Sequence, residues 1–302
     1  MDYINGVDVS HWQGEILWDK LVAAGPKYCF IRAGSCNINT GVCYKDWEFD
    51  RNRVEGPARL PCGPYWFFRA EHNPITQAQY FWNITSLHDW KLPLVCDVET
   101  NAGGLGRYEF SNSLRKFLAE LERLSGRRPI IYTNRNFDSF VESSSLWGTY
   151  DLWVANYTLD NDPDMPTFWK IYKWWQWSAD RPPTANTDGW LYGCPGSTAI
   201  DKNRFPGTWE DFLAYIKADV EEPPDPPPDP PEEPDPPHEI FLPYVVNVNA
   251  QAGLFTRKTP EIANNKAGAL FNNTEVTVIE EDGAWRKCKA EYWSHGNYLT
   301  RV

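Results

Sequence analysis

Residues 92–100 read LPLVCDVET, and this nine-residue stretch decides the fold. Leu92, Leu94, Val95, Cys96 and Val98 form an apolar run of the length and composition of a buried strand. In an extended chain residues i and i+2 share a face, their Cα atoms roughly 6.5 to 7 Å apart. Asp97 and Glu99 therefore project to the same side at the strand's end, just before the turn Asn101–Gly106. Charge rarely enters a core without a reason, so two carboxylates delivered to one rim suit acid and base chemistry better than packing.

Outward from this strand the pattern repeats. Upstream lie strands Asn5–Ser10, Tyr28–Ala33 and Cys62–Phe68, separated by helix-like segments Trp18–Ala24, Lys45–Val54 and Thr76–Leu87. Downstream come a helix over Arg107–Leu124 and a strand over Pro129–Thr133. Strand, helix, strand units of this length argue for an α/β fold with a parallel sheet. Further on, strand-like runs Asp151–Asn156, Tyr172–Ser178 and Ser197–Asp201 are joined mainly by loops, and a last helix fits Thr208–Ala218. Eight strands with helices between the early ones predict a closed, TIM-like β/α barrel whose outer ring is missing helices in its second half. In parallel barrels functional groups gather at the strand C-terminal ends. Here those ends carry Asp8, Asp97, Glu99, Gln176 and Asp201.

Glu221–Pro237 consists of ten Pro and seven Asp or Glu. Such a run cannot bury apolar surface and favours an extended polyproline II spacer. It divides the chain into a barrel over 1–218, a linker over 219–238 and a small piece over 239–302. The last piece has short β-rich runs at Tyr244–Val248, Thr274–Glu280, Trp285–Cys288 and Asn297–Arg301, as in a small antiparallel barrel.

The net charge is −12, and the proline-rich run supplies seven of those negatives, so the rest is only mildly acidic. No Lys/Arg stripe offers the footprint that phosphate backbones require, which excludes nucleic acid as the expected partner. Sixteen Trp and fifteen Tyr are more than core filling alone calls for, since flat rings also stack on sugar faces. No run approaches the ~20 apolar residues of a membrane span, and the N-terminus MDYINGVDVSHWQ lacks the form of a signal peptide. The expectation is a protein made in the cytoplasm. Seven Cys show no metal-ligand spacing with His or Cys, and His72, His88 and His295 have none either, so neither metal nor cofactor is expected. Cys29, Cys62 and Cys96 sit in apolar runs as small hydrophobes. Cys36 and Cys43 flank a Gly/Asn/Thr loop, and the sequence leaves open whether they are bridged.

Six segments, GVDVSHWQG (6–14), LVCDVET (94–100), IIYTN (130–134), LWVANY (152–157), WQWS (175–178) and IDKNRFPGTW (200–209), recur in an order that resembles glycoside hydrolase family 25, the Chalaropsis-type lysozymes of phage lysins and bacterial autolysins. The C-terminal piece resembles a bacterial Src-homology-3-like cell-wall module through VNVNAQAGLFTRKTP (246–260), GAW (283–285) and GNYLTRV (296–302), with the usual repeat degraded.

These resemblances imply hydrolysis of the β-1,4 bond between N-acetylmuramic acid and N-acetylglucosamine in peptidoglycan, with Glu99 as proton donor, Asp97 beside it, and Asp8 and Asp201 completing an acidic floor. Retention is the implied outcome, by direct attack from Asp97 or through the substrate's own acetamido group. Tyr65, Asn134, Trp153, Asn156, Tyr157 and Gln176 would line the saccharide groove. Trp66 and Trp175 are expected in the core, and His11 could hydrogen-bond across the site. The resemblance further implies an endolysin-like monomer that acts on bacterial peptidoglycan after release from a host cell, or extracellularly. The alternatives are a non-catalytic glycan binder and an amidase or endopeptidase of the peptide stem.

Overall fold

The computed structural model describes residues 2–218 throughout and, beyond them, seven strands within 242–301. The proline-rich run and the proposed 219–238 linker lie outside the described residues. The chain forms two compact units divided near Asp225.

The first unit is built from β1 (Tyr3–Val9), α1 (Trp18–Ala23), β2 (Cys29–Cys36), β3 (Cys43–Lys45), α2 (Phe49–Glu55), β4 (Cys62–Phe67), α3 (Pro74–Thr85), β5 (Val95–Asp97), α4 (Arg107–Ser125), β6 (Ile130–Thr133), α5 (Phe137–Phe140), β7 (Leu152–Ala155), β8 (Trp174–Ser178), β9 (Asp201–Pro206) and α6 (Trp209–Ala218). Eight strands close in the order β1-β9-β8-β7-β6-β5-β4-β2, and β1 pairs back onto β2. The expected barrel and its helix-poor second half are therefore present. No helix links β7 to β8 or β8 to β9. Trp169, in the loop between β7 and β8, packs edge-on to Phe137 of α5, which also meets Trp147, and Trp169 Nε1 donates to Tyr150 O at 2.8 Å.

Two local readings change. The segment expected as a helix over Lys45–Val54 opens with β3, which pairs antiparallel with β2, and Cys36 and Cys43 are bridged across that hairpin. The last barrel strand does not end at Asp201 but begins there, and it runs antiparallel to both β1 and β8. The Gly-rich loop before it, not a strand over Ser197–Asp201, returns the chain to the rim.

Period-two alternation sorts the side chains. On β4, Tyr65 and Phe67 face the barrel mouth while Trp66 turns outward, stacking on Phe81 and donating Nε1 to Gln77 of α3. On β8, Trp174 belongs to the inner cluster, Trp175 to the outer one and Gln176 to the mouth. The outer layer packs the helices: α4 offers Phe110, Leu114, Phe117, Leu118 and Leu121 on one buried face, spaced for helical period. α3 starts at Asn73, whose Oδ1 accepts from Ile75 N and Thr76 N, with Pro74 at the first helical position. The inner layer is an aromatic plug in which Phe30 stacks on Trp153 at 4.4 Å and Tyr132 meets Trp153 edge-on at 4.5 Å.

The second unit contains β10 (Leu242–Val246), β11 (Leu254–Arg257), β12 (Lys266–Leu270), β13 (Glu275–Asp282), β14 (Trp285–Cys288), β15 (Tyr292–His295) and β16 (Leu299–Arg301), in the order β12-β11-β15-β14-β13-β10-β16. Every pairing is antiparallel. The sequence reading had no strand at β11, β12 or β15. Among the described residues no helix is long and apolar enough to cross a membrane.

Candidate active site

The barrel mouth opens into a cleft of about 700 Å³ whose lining includes Asp8, Asp97, Glu99 and Asp201. Three elements deliver them. Asp8 comes from the end of β1, Asp97 from the end of β5 with Glu99 two residues on, and Asp201 from the first residue of β9. The antiparallel direction of β9 explains how its starting residue reaches the same rim as the C-terminal ends of the others. Asp201 is the direct cross-strand partner of Asp8, a like-charge pairing that is unfavourable if both ionise.

Below the acids lies the aromatic plug, a low-dielectric base that disfavours charge. Asp97 is 3% exposed and Asp8 5%. Burial, reinforced by the charge of Glu99, pushes the Asp97 carboxyl well above the usual range, and Arg32 opposes the shift only in part. Burial also raises Glu99, while a hydrogen bond with Asp97 and the charges of Arg181, Arg32 and Arg69 pull it back. Asp201 is raised by burial and by Asp8. Four clustered acids cannot all ionise, so the site retains protons where an isolated carboxylate would have lost them.

Asp8 is held differently. Its Oδ2 accepts from Gln176 Nε2 at 2.9 Å and from Asn203 Nδ2 at 2.7 Å. Burial pushes its pKa up to about 6, and these two donors limit the rise. Behind them a second layer fixes the amides: Tyr132 OH and Tyr157 OH donate to Gln176 Oε1 at 2.8 and 2.7 Å, and Trp153 Nε1 donates to Asn203 Oδ1 at 2.8 Å. Both amide oxygens are thus occupied as acceptors, which leaves their NH₂ groups facing Asp8.

Of the groove residues expected from sequence, Tyr65, Trp153, Tyr157 and Gln176 line the cleft, and Asn134 and Asn156 do not. Asn134 Oδ1 accepts from Asn136 N, an Asx turn into α5. Asn156 Oδ1 accepts from Asp164 N and its carbonyl takes Trp175 Nε1, so it braces the loop after β7. Trp153 is 1% exposed and supports the floor from below. Trp66 and Trp175 are in the core as expected. His11 does not reach across the site; its Nδ1 pairs with Asp46 Oδ2 at 2.6 Å.

The sequence reading missed Asn203, Tyr132, Arg32, Arg181 and Trp12. Asn203 was within reach, because a strand beginning at Asp201 puts residues 201 and 203 on one face, the same spacing as Asp97 and Glu99. Arg181 stands on a loop with no periodic signal. Among the described residues no group of His, Cys, Asp and Glu is arranged to hold a metal ion.

A closed β/α barrel that gathers carboxylates of raised pKa along an open cleft suits carboxylate-dependent glycoside hydrolysis. Sequence comparison narrows it: the profile of glycosyl hydrolases family 25 matches residues 7–184. Lysozyme M1 of Streptomyces globisporus is 29% identical over 226 residues, covering 70% of this chain and 70% of that protein. The crystal structure of a bacterial lysozyme from Streptomyces coelicolor superposes with a TM-score of 0.59 at 26% identity, covering 72% of this chain and 99% of the other. The spore cortex lytic enzyme SleM of Clostridium perfringens shares the fold over 99% of this chain and 97% of its own, at 19% identity and a TM-score of 0.56. The chain belongs to glycosyl hydrolase family 25 and is a glycoside hydrolase of lysozyme type.

Proposed function

We propose that the protein is an N-acetylmuramidase that cuts the β-1,4 bond between N-acetylmuramic acid and N-acetylglucosamine in bacterial peptidoglycan, with Glu99 as general acid and retention at the anomeric carbon. The observation that carries the reading is the gathering of Asp97, Glu99, Asp8 and Asp201 along one cleft, where burial raises all four carboxyls.

The pair keeps one proton near neutral pH. As the glycosidic bond lengthens, Glu99 hands that proton to the leaving oxygen, and Asp97 and Glu99 are left anionic. Positive charge develops on the sugar at the same moment, so releasing the leaving group also strengthens the stabilisation of what remains. Ionised Asp8, held by Gln176 and Asn203, adds to that field. In the first half-reaction the anomeric carbon bonds to Asp97 or to the substrate's own 2-acetamido oxygen as the leaving group departs; in the second, water displaces that bond, gives its proton to Glu99 and restores the configuration. Tyr65 and Tyr157 face the saccharide while Gln176 holds Asp8 behind them, and the resemblance of the second unit to Src-homology-3-like modules supports a wall-binding role for it. An endolysin-like monomer, made in a host cytoplasm and acting on the wall after release, fits this arrangement.

Digestion of purified peptidoglycan tests the reading. New reducing ends terminating in N-acetylmuramic acid are expected, and Glu99→Gln should bind walls while releasing fragments at least ~10³-fold more slowly. New amino groups without new reducing ends would instead identify an enzyme of the peptide stem.

A further inference from the structure

Most of the sixteen Trp are absorbed by the plug and the outer core, but two next to the cleft are not. Trp12 lines the cleft and is 69% exposed, and Trp47 is 83% exposed outside it. Between them stands His11, with ring centroids 4.6 Å from Trp12 and 5.1 Å from Trp47, both tilted rather than edge-on. The three rings come from two separate segments, the turn after β1 and the loop after β3. Asp46, 3% exposed, holds them in register. Its Oδ2 takes both the ring Nδ1 of His11 and, at 3.3 Å, the His11 backbone N–H, while its Oδ1 accepts Glu48 N at 3.1 Å, next to Trp47. A large exposed ring ordinarily gains by folding onto apolar surface; here a buried carboxylate anchors the segments that display two of them.

We propose that Trp12, His11 and Trp47 form an aromatic shelf that extends the cleft and binds the glycan strand beyond the sugars at the scissile bond. The occupant follows from continuity: Trp12 belongs both to the cleft wall and to the shelf, so a linear polymer leaving the cleft passes over it onto His11 and Trp47. Pyranose faces present axial C–H groups to such rings, and rigid aromatic side chains give up little conformational freedom on contact. The shelf adds binding for long strands and none for fragments that end within the cleft. This inference rests on the glycan-cleaving reading above and concerns the reach of the same site.

The test uses the full-length protein and peptide-free peptidoglycan strands, a tetrasaccharide and an octasaccharide, and reads the ratio of kcat/KM for long over short. Trp47→Ala should lower that ratio roughly fivefold, about 1 kcal/mol, through a higher KM for the long strand with kcat little altered. Trp47→Phe, which keeps a ring, should restore most of it. Because Trp47 is largely solvent-exposed, the substitution leaves no cavity, and an unchanged melting temperature accompanies the expected result. A ratio equal to that of the native protein in Trp47→Ala overturns the shelf and leaves the catalytic reading standing. A native protein that cleaves neither strand brings down the catalytic reading, and the shelf with it.

Discussion

Asp8 shows how a single carboxyl can be tuned by its neighbours. Hydrogen bonds to the ionised form lower a pKa, so taking one donor away must raise it. Asn203→Leu is expected to move the acid limb of the kcat/KM profile, which should lie near Asp8's value of about 6, to higher pH; a limb that stays or drops would show that Asp8 does not govern it. The same residue affects stability with a definite sign. A carboxyl whose pKa is raised by folding lets the native state hold its proton longer than the unfolded chain does, so its contribution to stability falls as pH rises from about 4 to about 6. Asp8→Asn should therefore gain on the native chain through that window, by up to about 3 kcal/mol, and the gain should level off above it. Urea unfolding at a series of pH values reads this directly. The acids were visible in the sequence because carboxylates at strand ends are conspicuous. Their keepers were not: Gln176 was noted but not its partner Asn203, and nothing in a one-dimensional pattern tells that Tyr132 and Trp153 orient two amides from the far side of a barrel.

At the level of elements, helix and strand periodicity carried most of the architecture. The apolar spacing of α4 and the alternation on β4 and β8 are both plain in the chain, and both kinds of element lie within a few residues of where the pattern put them. Failure came where direction rather than type was at stake. A short strand reads the same forwards and backwards, so only pairing reveals that β9 opposes its neighbours and opens with Asp201 instead of ending there. β3 was lost because three residues are too few for a period. One element boundary offers a clean measurement. Gly126 closes α4 with φ of 67°, and a Cβ placed there would meet nothing within 4 Å. Gly126→Ala should thus cost about 1 kcal/mol from backbone conformation alone, seen as a lower urea midpoint with an unchanged slope and with unaltered activity on soluble glycans.

For the molecule as a whole, the chain divides into two compact units. If the second unit grips the wall, a chain ending at residue 218 should lose about tenfold or more in activity on intact walls while keeping its rate on soluble strands, because tethering raises local concentration without adding a catalytic contact. Equal loss on both substrates would point instead to a damaged barrel. The seam between β1 and β9 has a different consequence. Asp8 stands on the first barrel strand, yet its register partner Asp201 and both of its amide donors come from residues 176 to 203. Pairing across so long a separation is slow and cannot begin until nearly the whole barrel has been translated. The acidic floor is consequently incomplete until the last barrel strand has paired with the first.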